Sequence, residues 1–295
     1  MISHTHHGAT ELFWIYGALI LAPFVYLRDW LRVRRQDYGS VDGWRAGSFF
    51  MGILFTWIAI ASPLAALDHE MLTVHMVQHL LLMTLAPPLI LLGTRQKTPV
   101  NGLMQPCSQV IGRPLRSELM RQFLNVVTHP VLCWFAAAGA LVVWHIPSVF
   151  MLGLQSQAWH GAEQASFLVT GLLFWLPVVR PWPNRFQWPE SSLLLYLFLA
   201  TLPCDILSGF LVFCDRVVYP VFLSSPRLFG FSALEDQQCA GALMWTCITV
   251  VYLIAAAIFT AHLLSPHRSE EFAIPQFEVR RIAIRHMDPP SVEMA

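Results

Sequence analysis

The chain has 295 residues, 56% of them hydrophobic and 12% charged, with 18 basic and 18 acidic side chains that cancel to zero net charge. Typical soluble domains are about 25% charged, so a water-soluble globular protein is excluded. The balanced charge gives no footing for nucleic acid or an acidic polymer as partner. What remains is an integral membrane protein whose first partner is the lipid bilayer.

Seven segments are apolar enough and of the right length to span, near 11–27, 46–66, 71–93, 130–149, 160–179, 192–213 and 239–263. The sequence therefore predicts an all-α bundle of about seven transmembrane helices occupying 11–264. It is flanked by a short tail at 1–10 and a polar tail at 265–295. Of the 18 Lys and Arg residues, all but Arg216 and Arg227 fall on one side of such a bundle. Basic excess marks cytoplasmic loops, which places the N-terminus outside and the C-terminus in the cytoplasm.

The first tail carries His4, His6 and His7, which either capture a metal loosely or do nothing measurable. The first span lacks the basic flank and small-residue cleavage site of a signal peptide and reads as retained.

The third span, MLTVHMVQHLLLMTLAPPLILLG, contains no Asp, Glu, Lys or Arg. Met71, His75, His79 and Met83 recur in it at every fourth position and form one slowly turning stripe. Imidazole with soft thioether is ligand chemistry for Cu(I), and ionisable groups inside a bilayer point to function. The alternative is that the histidines bond to neighbouring helices while the methionines fill gaps. The connection that follows contains Pro99, Pro106 and Pro114, which argue against a further span. Its end, 115–127, has apolar and basic residues at helical spacing, for a helix lying at the interface or a plain surface helix.

Depth can be assigned from the helical rise of 1.5 Å per residue, which puts His75 and His79 roughly 6 and 12 Å below the outer end of their span. His145, in VVWHIPSVF, ends span four on the same side, and a short loop leads to His160 at the start of span five. Four histidines from three helices thus converge on one leaflet, whereas His129, His262, His267 and His286 belong to the other side or to the tail. Each has a plainer reading. His145 can donate to a carbonyl left open by the nearby Pro147, and His160 can be an interfacial polar residue. Asp205 in span six is either a protonated acid bonded to a neighbouring helix or a functional carboxylate. Met244 in span seven is a supplementary thioether or simply core.

Six cysteines show no paired metal spacing. Cys214 and Cys239 bracket an outer loop where a disulfide could form. PWPNRFQWP at 181–189 reads as a rigid interfacial turn. No phosphate loop, nucleophile elbow, zinc-protease or dinucleotide motif is present, so no enzyme activity is expected.

Four stretches in order, HMVQHLLLMTLAPPLILLG, WHIPSVF, WHGAEQ with GLLFWLP after it, and DQQCAGALMW, resemble the multispanning CtaG family over roughly 40–265. That family comprises assembly factors of caa3-type cytochrome c oxidase, and the resemblance implies a polytopic protein of the bacterial plasma membrane that helps copper reach a heme–copper oxidase. It implies oxidase subunits or another copper chaperone as partners. The matching positions are His75, His79, His145, His160, Asp236, Met244 and Trp245. The expected set is a copper site, Cu(I) by its thioether, formed by His75, His79, His145, His160 and Met244. Met71, Met83, Glu163, Asp205 and Asp236 are expected as supplementary or supporting residues. One departure stands out: the family commonly has a histidine after the glutamate at the start of span five, whereas Glu163 is followed here by Gln164. Two other classes stay open, a heme-binding membrane cytochrome and a metal-free scaffold for oxidase subunits.

Overall fold

The computed structural model describes residues 5–36, 43–94, 118–179, 190–226 and 228–264. Among the described residues every regular element is helical. These are α1 (Thr5–Gln36), α2 (Gly43–Ala61), α3 (Leu72–Leu80), α4 (Ala86–Thr94), α5 (Glu118–Val127), α6 (Pro130–Trp144), α7 (Pro147–Gln155), α8 (Gln157–Val179), α9 (Glu190–Phe213) and α10 (Ala233–Leu264), with short 3-10 turns between some of them.

Five runs are long and apolar enough to cross a membrane, and a sixth arises if α6 and α7, bent by 78° at their junction, count as one span. The chain is therefore a multi-pass helical membrane protein. The expected first span, 11–27, lies inside α1, which is not among those runs. The seven segments expected from hydropathy are all helical, but the described structure supports five or six crossings. Of the 115–127 stretch, the described part forms a helix, α5, with Phe123, Leu124 and Val126 exposed, which suits either an interfacial or a surface helix. The 181–189 turn and the 265–295 tail lie outside the described residues, as does His4. The chain divides into one packed unit up to Ile254 and a second from Ala255; the site and its supports lie entirely within the first.

Small residues set the packing that positions the site. Association in a bilayer depends on close helix contact, which glycine permits. A Cβ on Gly52 of α2 would come 2.7 Å from Ile90 Cγ1 of α4, and one on Gly93 would overlap Phe49. Between α3 and α4 the helix widens into a π turn, Leu81–Leu85, in which the Ala86 N–H bonds to Leu81 O. The cause is local: Pro87 and Pro88 have no N–H for the carbonyls of Met83 and Thr84. The freed Met83 backbone packs against Gly171 of α8, where a Cβ would sit 2.8 Å from Met83 O. A π turn of this kind often marks a functional segment, and here it begins two residues after His79.

Residues of α6 and α9, among them Trp134, Phe135, Tyr196, Leu199 and Phe210, line an apolar cavity of about 1010 Å³ that His145 also lines.

Candidate metal centre

Three devices aim the side chains. First, α3 is capped from a distance. Met71 at its N-cap makes no side-chain cap bond, and instead the Asp236 carboxylate accepts the N–H groups of Leu72 (2.7 Å) and Thr73 (3.2 Å). This satisfies donors that every helix start leaves open and places a negative charge at the positive end of the dipole. Second, His75 and His79 are one turn apart and face the same way, with ring centroids 4.3 Å apart. Third, Pro147 starts α7 two residues after His145, and α8 follows α7 with one residue between them. That bend brings His160 and Glu163 back over α3.

Glu163, fully buried, stands at the centre. Its Oε1 lies 3.5 Å from His75 Nε2 and 3.3 Å from His79 Nε2, and its Oε2 lies 3.5 Å from His160 Nδ1. Phe150 packs on His75 (ring centroids 4.8 Å) and Phe167 on His79 (4.2 Å), giving the cluster apolar walls. Gly153 of α7 makes room for the carboxylate, since a Cβ there would come 2.8 Å from Glu163 Oε2. Glu163 is the residue whose weight the sequence understates, because one carboxylate on an apolar helix does not announce which side chains it meets.

Asp68 and His69 extend the cluster and are invisible to the periodicity argument, since they lie in the turn between α2 and α3. His160 Nε2 lies 3.0 Å from Asp68 Oδ2, and His69 Nε2 lies 3.5 Å from Asp68 Oδ1. Burial alone would raise the Asp68 carboxyl, but the hydrogen bond from His160 and the charges of His160, His69 and His75 outweigh it and hold it below the usual carboxylate range. The signal available in the sequence is the adjacent Asp-His pair three residues ahead of the helical stripe. Gln164, which stands where the family commonly has histidine, places its Nε2 2.8 Å from His160 Nε2. Its amide therefore lies against an outer histidine.

His145 occupies the corner where α6 ends. Its Nδ1 lies 2.7 Å from Leu141 O, and its Nε2 lies 3.2 Å from Met76 Sδ. A carbonyl only accepts, so Nδ1 carries a proton and donates to Leu141, while Nε2 faces the thioether. The plainer expectation for His145 is a bond to the carbonyl that Pro147 leaves open, which is that of Val143 four residues earlier; the ring instead meets Leu141 O. Its ring stands 5.8 Å from that of His79, next to the cluster and outside both groups of converging ligand atoms.

Those two groups are His75, His79 and Glu163, and Asp68, His75 and His160, each with ligand atoms all within 4.8 Å of one another. Of the other expected residues, Asp205 is half-buried on α9 and belongs to neither group. Asp236 acts on the helix start. Met71 and Met244 are buried, Met83 is half-buried and Trp245 exposed, while the thioether of Met76 meets His145. Cys214 and Cys239 are free thiols, so the bridge considered between them is not formed.

The residues fit a metal ion. Two ligands about 2.1 Å from a tetrahedral ion stand roughly 3.4 Å apart, which matches the 3.3 and 3.5 Å edges from Glu163 to the two histidines. As hydrogen bonds the same distances are long. Asp68 Oδ1, His160 Nδ1, both ring nitrogens of His75 and His79 and both carboxylate oxygens of Glu163 are buried without a hydrogen bond. At about 1–3 kcal/mol for each unsatisfied group, such a cluster would offset much of a domain's net stability of about 5–15 kcal/mol. A shared cation removes that penalty.

The chain is 24% identical over 239 residues to uncharacterized proteins of Mycobacterium bovis and Mycobacterium tuberculosis, covering 72% of this chain and 34% of each relative. It is 22% identical over 273 residues to an uncharacterized protein of Mycobacterium leprae, covering 86% of this chain and 40% of the relative. It thus spans about a third of the length of the first two relatives and somewhat more of the third. No solved structure matches it. Residues 24–265 match the model of the cytochrome c oxidase caa3 assembly factor family, Caa3_CtaG, and with most of its length so matched this chain belongs to that family.

Proposed function

We propose that this protein assists maturation of a caa3-type cytochrome c oxidase by holding copper at the His75, His79 and Glu163 cluster and passing it toward the oxidase. The observation that carries the reading is the buried carboxylate with two imidazole nitrogens at ligand-edge distances. Imidazole and carboxylate accept Cu(II), whereas the adjacent His145 and Met76 pair supplies the soft donors that Cu(I) favours. Copper is cargo here, so an open, exchangeable site suits the role better than a closed structural one.

Counted over seven spans, α1 included, the basic-residue bias supports an N-terminus outside and a cytoplasmic C-terminus, and the family supports residence in the bacterial plasma membrane. Under that orientation the cluster lies near the outer face, where copper would be handed to oxidase subunits or another chaperone. A heme between His75 and His79 fits poorly, because their rings stand 4.3 Å apart at 70° and leave no room for a porphyrin.

A deletion strain tests the role. Oxidase subunits should be made but poorly metallated, with activity partly restored by added copper. Full activity with normal copper content in that strain would rule the role out, and loss that copper does not repair would favour a metal-free scaffold.

A further inference from the structure

We propose that His69 is the surface port through which the metal reaches the cluster, by way of a loading subsite formed by Asp68, His160 and His75. This rests on the copper reading above and adds a direction of travel to it.

The two converging ligand groups share one residue, His75. An ion held by Asp68, His160 and His75 can therefore pass to His75, His79 and Glu163 without leaving His75, by exchanging two ligands for two others and keeping its oxidation state. Carboxylates and imidazoles alternate along this path. Asp68 meets both His69 and His160, and Glu163 meets His160, His75 and His79. Ring centroids step from His69 to His160 at 5.6 Å, from His160 to His75 at 5.8 Å, and from His75 to His79 at 4.3 Å.

Exposure falls along the same sequence. The His69 side chain is 53% exposed and that of His160 13%, whereas His75 (1%), Glu163 (1%) and His79 (5%) at the inner end are all buried. His69 is thus the member of the series that a metal carrier in water can touch. It lies in the turn before α3, outside the spanning helices, where a carrier can approach without entering the bilayer. The buried Asp68 beneath it supplies negative charge, which draws a cation inward and raises its rate of capture.

The test uses the full chain in detergent, with the cuprous bicinchoninate complex as the donor and loss of its colour as the readout. Wild-type protein should discharge the colour to a fixed end point. His69→Ala should reach the same end point about tenfold more slowly, because only the capture step is impaired. His69→Met, which restores a ligand atom at the surface, should recover most of the rate. Loading of His69→Ala at the wild-type rate, or failure of His69→Met to recover it, would overturn the port while leaving the copper site standing. If wild-type protein takes copper neither from this donor nor from added cupric ion, the site and its port fall together.

Discussion

The Asp236 carboxylate, at the start of α10, accepts the Leu72 N–H at 2.7 Å and so caps the helix that carries His75 and His79. The start of α10 thereby fixes the direction in which both imidazoles project. Asp236→Ala should lower stability by about 1–2 kcal/mol, the usual range for loss of a cap, and should weaken metal binding without removing a ligand. Asn, which also caps well, should restore most of both. Thermal unfolding in detergent and metal titration of the two variants check this.

Glu163→Gln keeps the shape of the central side chain and removes its charge. Copper affinity should fall about 10–100-fold, the scale of losses around metal sites. Gly153→Ala should act in the same direction by pressing a methyl group onto Glu163 Oε2, although Gly153 carries no ligand atom. Equal affinity in the glycine variant would mean that α7 does not shape the site.

Met76→Leu should weaken Cu(I) binding more than Cu(II) binding, since only the softer ion relies on a thioether. Met244→Leu offers the comparison for the methionine that the sequence favours. Titration of each variant with both ions separates the two candidates.

Acidification should act on metal binding and on stability. Metal binding requires neutral imidazole, so affinity should fall as protons compete for the ring nitrogens. Protein stability should fall as well. The Asp68 carboxyl is held below its ordinary range, so the stability it lends is present above about pH 4 and is lost as pH falls through the lowered value. Asp68→Asn should flatten that acid loss in unfolding measured without metal. An unchanged acid slope would show that Asp68 adds nothing there.

Much of this architecture is legible in the chain, and the reasons for the remainder are physical. Hydropathy locates the helices because the bilayer demands long apolar runs with internally satisfied backbones. Two features escape it: the 78° break after Trp144, where WHIP turns the chain back, and the status of α1 as a span. The convergence of His75, His79, His145 and His160 toward one end follows from helical rise and a short loop. Which atoms meet does not follow from these. Glu163 proves central because α8 is rotated to face α3, a fact of packing that no periodicity encodes. Met76 lies one residue from His75 and so off the expected stripe, yet it meets His145 from another face of α3. Asp68 and His69 are missed because a turn has no periodicity to read.

The most direct measurement is the copper content of purified protein, wild type against His79→Ala, with His262→Ala as a control. Wild type and the control should retain copper at a fixed stoichiometry, and His79→Ala should lose it while still inserting in the membrane. Equal stoichiometry in all three would show that the buried histidines serve the fold alone and that the metal centre is wrong.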